Sequence, residues 1–158
     1  MKLAIHQPQY LPWLGYFDKM DRADVFVLLD DVQYKKNEWQ NRNKIRNVRS
    51  SQWLTVPVLY KFGQKINEVR INSKEKWSQK HYKSLEMNYS RAAHFGKYSA
   101  FFRNSFKRDW KLLEEVNLHF IEYLKAELGI DTDIQRSSSL GIKGRSTARL
   151  VNICKKHF

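Results

Sequence analysis

Three side chains near the start of the chain are of types that do chemistry: His6, Asp30 and Asp31. An imidazole titrates near neutrality, so His6 can serve as general acid or base or donate to a phosphate oxygen. A carboxylate pair can bind ribose hydroxyls, hold Mg²⁺ or orient a catalytic group. Around His6 the stretch "IHQPQYLPWLGY" sets Gln7, Tyr10, Trp13 and Tyr16 among Pro8, Pro12 and Gly15. The prolines fix two φ angles and the glycine permits close backbone approach, a composition suited to a rigid aromatic-walled pocket. Beyond Asp31, "VQYKKNEWQNRNKI" supplies Tyr34, Trp39, Asn41, Arg42 and Lys44: rings for walls, amides for hydroxyls or base edges, cations for phosphate. A third set, Ser138, Ser139, Lys143 and Arg145, lies in "RSSSLGIKGRSTARL", where hydroxyls, cations and free helix amides could cradle phosphate. Plain roles compete with each of these: a strand-capping histidine, a turn-capping aspartate, a solvated basic surface, an N-capping Ser146.

These residues need elements to carry them to one place. "KLAIH" reads as a strand, "LGYFDKMDRAD" as a short helix with Leu14, Phe17 and Met20 three apart, and "VFVLLDD" as a strand buried on both faces. Strand, helix and strand in about 30 residues is the length of a βαβ crossover, which puts His6 and the aspartates at one carboxyl edge, where open α/β sheets bind ligands. Residues 33–51 lack periodicity and read as a loop ordered around a ligand. "WLTVPVLY" is a strand with Pro57 marking an edge or bulge, paired as a hairpin with "KINEVRI". A helix running toward Tyr89 follows from Ser73, then one long helix across "SAFFRNSFKRDWKLLEEVNLHFIEYLKAELG", a strand within "IDTDIQRSSSLGI", and a closing amphipathic helix "STARLVNICKKHF". The expected fold is α/β: a three-layer, mostly parallel sheet flanked by helices, Rossmann-like or nucleotidyltransferase-like, with a helical middle segment.

At 158 residues and 42% hydrophobic, the chain suits one domain spanning 1–158. No apolar run nears the ~20 residues of a membrane span, and the amino terminus turns polar too early for a signal peptide, so a cytoplasmic protein without membrane insertion is expected. Cys154 alone excludes an internal disulfide framework and a multi-cysteine zinc cluster. It falls among apolar residues of the last helix and reads as packing. His81, His94 and His119 have no ligand spacing, so no metal site is assigned. The formal charge of +13 predicts attraction to phosphorylated ligands or polyanions.

The segment from "IHQPQYLPWLGY" through "NRNKI" and "WLTVPV", resumed at "SSSLGIKGRSTARLVNIC", resembles the WbqC-like family of bacteria, whose members recur beside genes for O-antigen and other surface polysaccharides. The resemblance implies work on activated sugars without fixing a reaction. Family members continue beyond the point where this chain ends, so a chain truncated at its carboxyl terminus is expected. The residues themselves fit a transferase acting on a nucleotide-linked sugar or nucleotide, by acyl or nucleotidyl transfer, with a phosphorylated small molecule as partner. A basic nucleic-acid-binding protein and a non-catalytic member of a polysaccharide-enzyme complex remain the alternatives.

Overall fold

The computed structural model describes residues 1–158 and is an α/β fold. A parallel three-stranded sheet forms from β1 (Leu3–His6), β2 (Val25–Leu28) and β7 (Asp133–Arg136), in the order β1-β2-β7. His6 pairs with Leu28, and Leu28 with Arg136, so all three strands end in line. The crossover between β1 and β2 is α1 (Leu14–Asp21), which buries Tyr16, Phe17 and Met20. These pack with Phe26, Leu28, Ile121 and Ile130 into one of two cores. Apolar side chains on both faces of β2 explain its unbroken "VFVL" run.

Residues between β2 and the middle helices form antiparallel pairs rather than further parallel strands. Chain 33–51, expected as a loop, instead contains β3 (Arg42–Arg46), which pairs with β4 (Ser51–Thr55). Its alternation is hard to see because Ile45 is the only apolar side chain on β3, while the outward positions are cations. At Val56–Pro57 the chain changes partners, and β5 (Val58–Leu59) pairs with β6 (Arg70–Ile71), as the hairpin reading anticipated. Proline between the two short strands costs no ladder bond at that break.

The middle is helical: α2 (Trp77–Tyr89), α3 (Phe95–Lys107) and α4 (Leu113–Glu127). The long helix expected across residues 99–129 is broken between Lys107 and Leu113. There the backbone extends and bonds to β6 and its flank, Ile71 N donating to Lys111 O and Leu113 N to Val69 O. Trp110 is buried at the break and donates its indole N–H to Ser105 O. A ladder and a buried indole thus outweigh helical periodicity. The larger core joins Tyr10, Tyr34, Leu54, Val56, Trp77, Phe106 and Phe120, among others. The chain closes with α5 (Ser146–His157), which packs beside β1. No helix is long and apolar enough to cross a membrane.

Candidate functional site at the strand carboxyl ends

Where β1, β2 and β7 end, the backbone stops pairing within the sheet and side chains take over. Asp30, two residues past β2, is fully buried. Its Oδ1 accepts from the Ser138 amide at 2.9 Å and its Oδ2 from the Ser138 hydroxyl at 2.5 Å. Ser137 Oγ stands 2.9 Å from Asp30 Oδ1 and 2.5 Å from Asp31 Oδ1, so one hydroxyl proton serves two carboxylates. Asp31 in turn pairs with Arg149 of α5, whose other guanidinium nitrogen donates to Ile142 O. The cluster therefore ties β2, the turn after β7, and α5 together.

Glu114, in the first turn of α4, brings a third carboxyl against Asp30. Burial, and then hydrogen bonding to Asp30 and its charge, push Glu114 up to about 7; Arg136, 3.9 Å away, pulls the other way. For Asp30, burial pushes upward, but the bonds from Ser138, Ser137 and Glu114 outweigh it and hold the group below its ordinary range. At neutral pH Glu114 is thus about half protonated beside an ionised Asp30. Glu114 Oε1 has no hydrogen-bond partner.

His6 flanks this cluster on β1. Burial, then the Lys19 cation, lower it to about 4, so the imidazole is neutral at physiological pH. Its ring meets Tyr16 edge-on at 4.9 Å, and Nδ1 is buried without a partner. The next residue, Gln7, accepts from Gln40 Nε2 at 2.7 Å, and Gln40 O accepts from Asn117 Nδ2 at 2.8 Å. Asn117 is fully buried, its Oδ1 unpartnered, one turn along α4 from Glu114. A neutral imidazole, a partly protonated carboxyl and an amide oxygen, each with an unfilled hydrogen-bonding position, border the strand ends. The amide oxygen can only accept, so the set suits a ligand hydroxyl.

Of the residues singled out in the sequence, the fold brings His6, Gln7, Asp30, Asp31 and Ser138 to this edge. Ser139, Lys143 and Arg145 follow on the exposed turn into α5. The aromatic walls are placed elsewhere. Tyr10 is wholly buried, its hydroxyl 2.8 Å from His81 Nδ1. Tyr16 is core beneath His6, and Tyr34 and Asn41 are buried, Asn41 donating to Val56 O at 3.0 Å. Trp13 is exposed and lies over Gly15, where an added Cβ would stand 2.2 Å from the indole; the glycine serves that close approach rather than a ligand. Trp39, Arg42 and Lys44 sit together on the β3–β4 hairpin around Trp53. The aspartates do not fit Mg²⁺, since their oxygens already accept from two serines and Arg149, which a cation would have to displace. An apolar cavity of about 480 Å³, lined by Phe17, Leu85, Phe95, Phe102 and Leu124, includes none of the residues predicted for the site.

Ser137, Arg149, Glu114 and Asn117 were missed in the sequence. For the last two a signal existed: in "LLEEVNLHF" they fall on the apolar face with Leu113, Val116, Phe120 and Ile121, where a polar side chain needs a partner.

Fold and site together define an α/β protein with a polar cluster at the carboxyl edge of a parallel sheet. The chain belongs to the WbqC-like protein family, whose model matches residues 7–157. It is similar to the uncharacterized protein Rv1507c of Mycobacterium tuberculosis, with 37% identity over 158 residues that cover 98% of this chain and 68% of that relative. No solved structure matches.

Proposed function

We propose that the protein is a cytoplasmic transferase of surface-polysaccharide (O-antigen) biosynthesis, acting on a nucleotide-linked sugar or nucleotide at the carboxyl edge of its parallel sheet. The observation that carries this reading is the convergence on one edge of neutral His6, with Nδ1 free, and Glu114, raised to about 7 so that it can exchange a proton near neutrality, beside Asp30. Open α/β sheets bind their ligands at this edge. A neutral imidazole can accept a proton from an attacking amine or hydroxyl, and a protonated carboxyl can return one to a leaving group. Acyl and nucleotidyl transfer both use this division of labour. Lys143 and Arg145, exposed on the turn into α5, are the cations this reading assigns to phosphates. Membership in the WbqC-like family supports the sugar context.

The test is a thermal-shift screen of wild-type protein and His6→Ala against ATP, CTP, UDP- and dTDP-sugars and acyl-CoA, at low and high salt. One nucleotide or nucleotide-sugar should stabilise the wild type at both salts and stabilise His6→Ala less. Turnover with that ligand should fall ~10²–10⁴-fold in His6→Ala. Absence of a salt-tolerant shift with every compound overturns the reading.

A further inference from the structure

The β3–β4 hairpin carries a surface that the strand-end site does not use. Register sets Arg42 opposite Thr55, Lys44 opposite Trp53 and Arg46 opposite Ser51. Strand alternation therefore puts these six side chains on one face. The other face turns Leu54 and Ile45 into the larger core. On the outer face the Arg42 guanidinium lies 4.2 Å and Lys44 Nζ 4.8 Å from the centre of the Trp53 ring, and the Trp39 ring stands 5.6 Å from it. Trp39 and Trp53 are 44% and 42% exposed.

None of these cations is neutralised. The ion pairs of the molecule engage Arg22, Lys97, Arg103, Lys111, Arg136 and Arg149, and none lies on the hairpin. Between residues 33 and 61 seven Lys and Arg stand against one acid, Glu38. The cations rest on the Trp53 ring as cation–π contacts, and with no acid beside them the face complements an anion that also offers ring faces.

We infer that the outer face of this hairpin binds single-stranded nucleic acid. The cations of β3, about 6.6 Å apart along the strand, take phosphates, and the indoles stack on unpaired bases. A duplex keeps its bases inside its own stack and offers the indoles nothing. An anionic membrane surface is the poorer fit, because the apolar tip is a single residue, Val48, while both indoles sit among cations.

The test is fluorescence anisotropy of the full chain with labelled 15-nucleotide oligo-dT and oligo-U, at 50, 100 and 200 mM NaCl, with intrinsic tryptophan emission recorded in parallel. Binding should quench tryptophan and weaken with salt with a log–log slope of roughly −2, the value for about three phosphates on a single strand. Trp53→Ala should weaken binding about tenfold. Because that change also touches hairpin packing, the solvent-facing double variant Lys44→Gln/Arg46→Gln is measured too and should flatten the slope by roughly 1.4. Four results overturn the inference: no binding at 50 mM NaCl; equal competition by inorganic polyphosphate; affinity unchanged in both variants; preference for a duplex or for phosphatidylserine vesicles. Loss of a nucleotide-sugar thermal shift in the Lys44→Gln/Arg46→Gln protein would also overturn it, by assigning the hairpin to the strand-end site.

Discussion

Arg149 and Lys44 both come from basic stretches of the sequence, yet the fold treats them in opposite ways. Arg149 is mostly buried and paired with Asp31, inside a cluster where carboxylates, serines and a guanidinium satisfy one another. Lys44 is exposed over Trp53 with no acid to meet it. The strand-end cluster spends most of its polarity on holding three elements together and leaves a few atoms free: His6 Nδ1, Glu114 Oε1 and Asn117 Oδ1. The hairpin spends its apolar face on the core and leaves Lys44 and Arg46 outside. Polar residues at a carboxyl edge thus count as candidates for chemistry only after internal pairing is subtracted, whereas unpaired charge on a surface costs little stability and is available to a partner.

The comparison breaks first at Asp30. Asp30→Ala strands the Ser138 amide and hydroxyl donors and removes the carboxylate beside Glu114, which should cost about 3 kcal/mol and lower Tm by roughly 10 °C. A loss below about 1 kcal/mol in urea titration would mean that Asp30 is not what joins β2 to the turn after β7.

A similar magnitude attaches to pH on the acid side. Burial lowers His81 to about 4, below its ordinary 6.5, with a hydrogen bond donated by the ring to the Thr55 backbone working the other way. The unfolded chain therefore binds the proton more readily. The His81 contribution is full above about 6.5 and is lost as pH drops toward 4, roughly 3 kcal/mol for this group, and His6, lowered to about 4 as well, adds in the same direction. Thermal melts of Glu114→Gln between pH 7.5 and 4, in which the opposing Glu114 titration is absent, should show this limb. Tyr10→Phe, which removes the hydroxyl beside His81 Nδ1, should cost a further 1–2 kcal/mol at neutral pH, roughly.

Glu114 has the opposite sign. Its folded value of about 7 lies above the ordinary 4.5, so its contribution is full below about 4.5 and is lost as pH rises through 7. Glu114→Gln cannot ionise and should remove the decline that this group adds between about pH 4.5 and 7. A difference in Tm between wild type and variant that stays constant across that range would show that Asp30 and burial do not raise Glu114. The smallest effect belongs to the hairpin. Lys44→Gln and Arg46→Gln should each change stability by less than about 0.5 kcal/mol. A larger loss would mean that these cations support the fold, and the contrast between the two regions would weaken.

Legibility followed the same division. The βαβ start, the buried run of β2 and the carboxyl-edge position of His6 and the aspartates could be read because each rests on local pattern and connection geometry. Tyr10, Tyr34 and Asn41 could not be told from ligand-facing residues, since an aromatic or amide in a loop has the same sequence whether it turns inward or outward. The long helix broke at Trp110 because β6, some 40 residues earlier, offered its backbone a ladder. Nothing in the periodicity of 99–129 records that offer.

The sequence alone determined the class of fold, the strand ends where chemistry could gather, the excess of positive charge and the family to which the chain belongs, because these depend on residue order and composition. Tertiary structure alone decided which charges cancel. Ser137 reaches Asp30 across 107 residues and Arg149 reaches Asp31 across 118, while Arg42 and Lys44 meet only an indole. Whether a polar group is structure or site depends on its neighbours in space, and long-range pairing is what supplies them.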